Sequence, residues 1–261
     1  STGGATTAYH LKLESGIRVY EMVIDARTKT VLNENDHLKH NTNASGLDLS
    51  GDIRKFSVIP YLDKNYLRDT RFPNGANTTV FEASLANVAP VVSNNGKVLY
   101  SNIDNLPLSA IVSSDNLDSD WNPSAVSAIG HFEQLFNYFS DTHNYRFGES
   151  GSYAQPIKLI VDIDHPNAFN LGTIMGFGRG ENLNFAASFE VVGHELGHGI
   201  VGDLAGLRGS GWPSSLNESF SDLFGVLASP DSGWNVGDDS PNTDVRSMSN
   251  PSSRGDAMFY Q

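Results

Sequence analysis

The sequence predicts an α+β fold, with a β-rich N-terminal lobe leading into a helical part, on three observations. Up to Asp120, short apolar runs are interrupted every few residues by Asn, Gly, Asp and Pro, the punctuation of strands and tight turns. From Pro123 onward, apolar residues recur at three- and four-residue spacing, which is helical periodicity. Strands therefore come first and helices later, the order of an α+β chain with two lobes rather than of repeated βαβ units.

Taken in order, residues 1–40 read as a small β hairpin. Leu11 and Leu13 alternate with polar neighbours, and IRVYEMVI (Ile17 to Ile24) is a strong strand pattern. DARTKT then turns the chain, and Val31-Leu32 begins the return. The polar stretch NENDHLKHNTNASG, Asn33 to Gly46, reads as an exposed linker. FSVIPYL, TTVFEASL and APVVSNNGKVLYS make 47–120 β-rich, and Asn94-Asn95-Gly96 predicts a hairpin turn. Val126, Ile129, Phe132, Leu135, Phe136 and Phe139 predict a helix from Pro123 to about Thr142. A buried strand over Ile157–Ile163 follows, then a Gly-rich turn region, then helices over roughly Ser188–Leu204 and Ser214–Ser229. The remainder is polar and irregular, and no internal repeat is present.

The 261 residues allow one large domain or two lobes, and a buried core. No apolar run approaches the ~20 residues that span a bilayer. A net charge of −13 argues against a nucleic-acid backbone or an anionic membrane as partner. Cysteine is absent, so a transition-metal site must draw on His, Asp and Glu. STGGATTAYH lacks the basic and apolar regions of a signal peptide, and the numbering is expected to start inside a longer precursor.

One stretch carries chemistry. In VVGHELGHGI (Val191 to Ile200), His194 and His198 stand at i and i+4, so they share a helix face and can reach one ion. Glu195 lies about 100° round the helix from His194, beside the site, where it could act as a base rather than as a third ligand. A surface helix with two exposed histidines is the plainer reading. Twenty residues after His198, LNESFSD supplies Glu218, with Asp222 one turn further on the same face. Catalytic zinc takes three protein ligands and keeps a position open, and the intervening GDLAGLRGSGWPSS has the glycines and proline to reverse the chain. Asp222 could then accept from the outer nitrogen of a ligand histidine. The competing reading makes Ser215-x-x-Glu218 a capping box that only closes a helix start. Glycines at 193, 197, 199 and 202 each cost about 1 kcal/mol relative to alanine inside a helix. They predict that the ligand helix sits close against neighbouring backbone, above all at Gly197.

HELGH followed by NESFSD closely resembles the thermolysin-like (gluzincin) zinc metallopeptidases. NAF (Asn167 to Phe169), MGFG, DLAGL (Asp203 to Leu207) and VGDD…RSMSNP (Val236 to Pro251) fall in that family's order. The resemblance implies Zn²⁺ on His194, His198 and Glu218, with Glu195 as general base in peptide-bond hydrolysis. It implies that Asn167 and Ala168 hold the substrate backbone and that Arg246 contacts the substrate carbonyl; a surface salt bridge is the plainer reading of Arg246. It also implies a peptide or protein substrate, secretion, and maturation from a zymogen. On this basis 1–40 is a propeptide tail, 41–205 the N-terminal lobe ending in the HELGH helix, and 206–261 the start of a truncated C-terminal lobe carrying the third ligand. The alternative makes 1–40 part of the enzyme's own sheet.

Three departures qualify the resemblance. Arg208-Gly209-Ser210-Gly211-Trp212 offers no phenol where the family carries a transition-state tyrosine. The family's transition-state histidine would lie past Gln261. Glu190 and Asp238 match carboxylate positions of a Ca²⁺ cluster, but Ser229, Gly233 and Asn235 replace further acids, so at most one partly formed calcium site is expected. Two functions therefore stand side by side: a secreted zinc endopeptidase, and a zinc-binding but catalytically impaired module.

Overall fold

The computed structural model describes residues 7–15, 18–36, 41–70, 77–148, 155–207, 210–230, 233–237 and 246–254. The N-terminal unit is a three-stranded antiparallel sheet of β1 (Ala8–Ser15), β2 (Arg18–Asp25) and β3 (Val31–Asp36). DARTKT turns as its composition predicts: the amides of Arg27 and Thr28 both donate to Asp25 Oδ1 at 2.8 Å. This sheet pairs with no other described strand.

Next come β4 (Thr42–Leu47), β5 (Ile53–Tyr61), β6 (Lys64–Tyr66), β7 (Arg68–Asp69) and β8 (Thr78–Glu82). The expected linker at 33–46 is corrected here, because β3 and β4 occupy most of it. In β4, Ala44 and Gly46 face inward while Asn43 and Leu47 face solvent. The inward residues are too small to register as a hydrophobic pattern, yet Gly46 needs its smallness against Trp121 and Val126.

A four-residue helix α1 (Ala83–Ala86) leads to the hairpin of β9 (Pro90–Val92) and β10 (Val98–Tyr100). Its turn closes as Asn94-Asn95-Gly96 predicts, with Ser93 N donating to Lys97 O and Gly96 N to Ser93 O. After β11 (Ser113–Ser114) comes α2 (Pro123–His143). The side chain of Asn122 caps its first turn, Pro123 opens it, and Asn144 ends it in the left-handed conformation. The apolar face of α2 fills the main core together with Leu159, Phe177, Val192, Leu196 and Ile200.

The main sheet adds β12 (Ile157–Ile163), β13 (Ala168–Leu171), β14 (Ile174–Gly180) and β15 (Leu183–Asn184). Its order is β13-β14-β12-β8-β7, with β15 beside β14; β12 runs parallel to both β8 and β14. The Gly-rich region after Ile163 is thus a strand pair, not a turn. Its glycines answer to space: a Cβ at Gly178 would collide with the backbone oxygens of His165 and Asn167, and one at Gly176 with the ring of Phe169. Gly178 N also donates to Asn167 O at 2.9 Å, fixing the loop that carries Asn167.

The last layer pairs α3 (Phe189–Leu204) with α4 (Trp212–Ala228), followed by β16 (Asn235–Val236) and β17 (Arg246–Ser247). Ser188 caps α3 through Val191 N. Helix α4 starts at Trp212, with Ser215 Oγ donating back to Gly211 O. Glu218 therefore sits well inside the helix, and the capping-box reading is set aside. The two helices meet through small residues: a Cβ at Gly193 would lie 2.7 Å from Gly225 Cα, and one at Gly197 would lie 2.8 Å from Ser221 Cα.

Because the obstacle at Gly197 is backbone, it cannot rotate away. Gly197→Thr is expected to lower unfolding stability by about 1–3 kcal/mol through overpacking and to weaken zinc binding, read by thermal melts with and without zinc. A variant as stable and as zinc-tight as the parent would show that the closeness is not required.

Candidate metal centre

Helix α3 is mostly buried, yet it turns three ionisable side chains, His194, Glu195 and His198, to the cleft. His194 is 6% exposed and Glu195 4%, while His198 is half-buried. The i,i+4 spacing brings the two imidazoles to 4.5 Å between ring centroids. Glu218 of α4 meets both: its Oε2 lies 3.4 Å from His194 Nε2 and its Oε1 3.7 Å from His198 Nε2. The ligand atoms of these three residues all lie within 4.8 Å of one another. Two imidazoles and one carboxylate are the donor set of a hydrolytic zinc site, so the residues present fit that metal.

The outer nitrogens are also occupied. His194 Nδ1 and Asp222 Oδ1 are 2.6 Å apart, the contact expected of Asp222. His198 Nδ1 lies 2.6 Å from Asn217 Oδ1 and 3.0 Å from Ser221 Oγ. Asn217 in turn donates from Nδ2 to Leu207 O at 2.7 Å. Sequence reasoning passed over Asn217 and Ser221; the signal was there in their placement one residue before Glu218 and one helical turn further on. With Nδ1 engaged, each ring presents Nε2 toward Glu218.

These contacts set the charges. Burial opposes charging of His194, but hydrogen bonds to Asp222 and Glu218, with the nearby Glu195, outweigh it and raise the imidazole to about 9. His198 moves the other way, lowered by burial and by the neighbouring His194. The hydrogen bond from His194 holds the Glu218 carboxyl below its usual range, against the effect of burial. Glu195 is raised to about 7, chiefly by burial. Its Oε2 is buried with no hydrogen-bond partner among the described residues, although the residue lines the cleft.

Asn167 and Ala168 line the same cleft, of about 1320 Å³, as do Arg246 and the three candidate ligands. Arg246 does form a salt bridge, but inside the site: Nη2 lies 2.9 Å from Asp222 Oδ1, and Nη1 lies 3.9 Å from Glu218 Oε2. No tyrosine lines the cleft among the described residues. Glu190 is fully buried in the first turn of α3 and accepts from Ser188 Oγ at 3.1 Å; Asp238 lies outside the described residues. Among those residues, no second group of three His, Asp or Glu side chains gathers as a metal site. No described helix is long and apolar enough to cross a membrane.

With this geometry established, comparison with known proteins is specific. The model of the thermolysin metallopeptidase catalytic domain matches residues 43–202. Neutral protease B of Bacillus subtilis (strain 168) is 30% identical over 250 residues, 91% of this chain and 43% of that protein. Bacillolysin of Brevibacillus brevis is 29% identical over 245 residues, 91% of this chain and 42% of that one. The chain thus spans about two fifths of the length of these relatives. Among solved structures, a precursor of protealysin, a metalloproteinase from Serratia proteamaculans, aligns with a TM-score of 0.50. It is 22% identical and covers 70% of this chain and 57% of its own, a likeness of fold.

Two outcomes are expected of the metal centre. Asn217→Ala frees the His198 ring and should weaken zinc binding by about 10–100-fold, read by competition with a chromogenic chelator. His194 is protonated at neutral pH without metal and must be neutral to act as a ligand, so zinc binding at pH 7.5 should release about one proton from it. Affinity should then rise with pH up to about 9. Calorimetry in buffers of differing ionisation enthalpy measures the release, and a proton-neutral binding event would contradict it.

Proposed function

The chain belongs to the thermolysin metallopeptidase family, and from that premise we propose that it is a zinc-dependent endopeptidase with Glu195 as its general base. The observation that carries this reading is the convergence of His194, His198 and Glu218 with a buried, unpartnered Glu195 oxygen beside them. When bound, zinc supplies a Lewis acid that polarises a scissile carbonyl and makes a water molecule acidic enough to deprotonate near neutral pH.

The residues around it divide the remaining work. Glu195, raised toward 7 by burial, has the affinity to take a proton from water and return it to a leaving amine near neutral pH. An extended peptide can lie along β13, whose outer edge pairs with no described strand, in the manner of β-augmentation. Asn167 and Ala168 stand at the start of that edge and supply polar backbone and amide groups to it. Arg246 offers its guanidinium beside the metal ligands, oriented by Asp222; such a planar fork suits a carbonyl on which charge is building.

The finer parts of the reading rest on the resemblance. Residues 1–40, whose strands form a sheet of their own, are proposed as a propeptide tail and the protein as a secreted zymogen. A second reading has one observation in its favour: no phenol lines the cleft among the described residues. The protein would then bind zinc and peptide without efficient cleavage. Loss of a single oxyanion donor lowers rates by about 10²–10³.

One assay separates the two. Zinc-loaded protein is expected to cleave peptides, to lose activity to a chelator and to regain it with zinc. Glu195→Gln should keep its zinc and lose about 10²–10⁴ in kcat. Equal, near-zero cleavage by both proteins would establish the non-catalytic module, and a wild-type protein that takes up no zinc would end the metallopeptidase reading.

A further inference from the structure

The cleft lined by the candidate metal ligands is lined also by the residues of β13 and by Lys97 at the foot of the β9–β10 turn. The two faces of β13 look onto different surroundings. Ala168 packs against the α3-side cores and Asn170 donates to the Glu195 backbone oxygen at 2.8 Å. Phe169 instead belongs to the smaller core on the opposite face. The β9–β10 hairpin is pinned to that opposite face: Tyr100 stacks on Phe169 with centroids 4.0 Å apart and planes at 22°, and its hydroxyl meets His165 Nδ1 at 3.0 Å.

The hairpin anchored through Tyr100 thereby brings Lys97 to the lining of the cleft. Besides histidines, the cleft is lined by two cationic side chains, Lys97 and Arg246. Arg246 is neutralised by Asp222 and Glu218. Lys97 makes no ion pair among the described residues, in a chain of net charge −13. It is exposed, and no described carboxylate pairs with its charge.

We infer that Lys97 is a specificity-determining residue that selects an acidic side chain in a peptide bound along the outer edge of β13. This rests on the proposed binding of an extended peptide at that edge. Side chains of an extended strand alternate between its two faces. A peptide on β13 would send one set toward α3 and the metal ligands, and the other set toward the hairpin. Aspartate or glutamate in the second set meets the Lys97 ammonium, whereas lysine or arginine there is repelled. The preference is periodic: it appears at one position of the peptide, or at positions two apart, and not at their immediate neighbours.

The test uses a series of fluorescent peptides carrying a single Asp or Lys moved stepwise along an otherwise neutral sequence. Their Kd is measured on zinc-loaded Glu195→Gln protein by anisotropy, and their kcat/KM on the wild-type background. Asp is expected to bind about two- to fivefold more tightly than Lys at alternate positions, the size of an exposed ion pair. The preference should shrink at high salt, vanish in Lys97→Ala and reverse in Lys97→Glu. A Lys97→Glu protein with the parental Asp-to-Lys ratio at every position overturns the inference. Normal cleavage with that unchanged ratio leaves the peptidase reading standing alone. A clear Kd preference without cleavage would instead retain Lys97 and dismiss catalysis. If no peptide binds at all, the bound peptide and its selection by Lys97 both fall.

Discussion

Glu218 comes within 3.4 and 3.7 Å of the two histidine Nε2 atoms because nothing larger than hydrogen stands between the backbones of α3 and α4 at Gly193, Gly197 and Gly225. Three glycines in helical positions are unfavourable for either helix alone. Their placement along one line of contact turns that local cost into a shared interface. Ligand geometry in such a site is set by backbone separation rather than by side-chain reach, since histidine has only two rotatable bonds. The large core formed by α2 and the main sheet then holds α3 through Val192, Leu196 and Ile200, so the opposite side of the ligand helix is fixed as well.

The two glutamates beside the histidines shift in opposite directions. Glu218 receives a hydrogen bond from His194 and is held below its usual pKa, which suits a ligand that must stay ionised. Glu195, one residue from His194 in sequence, is buried and rises to about 7, which suits a group that must gain and lose a proton. Environment alone separates the two carboxyl groups. Asp222 stabilises the arrangement from behind, because it meets both His194 and Arg246. Its carboxylate thus compensates two cationic groups that would otherwise be poorly solvated.

What the sequence disclosed follows from how local each determinant is. The β12 strand, α2, α3 and the i,i+4 histidine pair are written in short windows, and their periodicity survives inspection of one chain. A contact of Asp222 with one of the ligand histidines was also legible, since Glu218 and Asp222 share a helix face; that it is His194 comes from the packing of α4 on α3. The β4 strand was not, because its inward residues are Ala44 and Gly46 and strand patterning is recognised by bulk. The β14 strand was hidden by the glycines that make room for the Asn167 loop, a requirement imposed by residues ten or more positions away. Asn217 and Ser221 escaped for a different reason. Short polar side chains are common on exposed helix faces, and only the packing of α4 onto α3 gives these two a histidine to hold.

Tyr100 shows how the described residues distribute binding and catalysis. It is the phenol of the hairpin beside the Asn167 loop: its ring stacks on Phe169, and its hydroxyl meets His165 and the Asn167 side chain, so it braces the loop that carries Asn167. The groups that hold the metal, the groups along the β13 edge, and the donors that would stabilise developing charge are thus separate sets of atoms. The first two sets are present among the described residues, while the third reduces to Arg246 and the metal itself. Interactions that strengthen only in the transition state act on kcat, whereas those already formed with bound peptide do not. That separation makes the metal centre and the edge strand testable independently of how fast the chain cleaves.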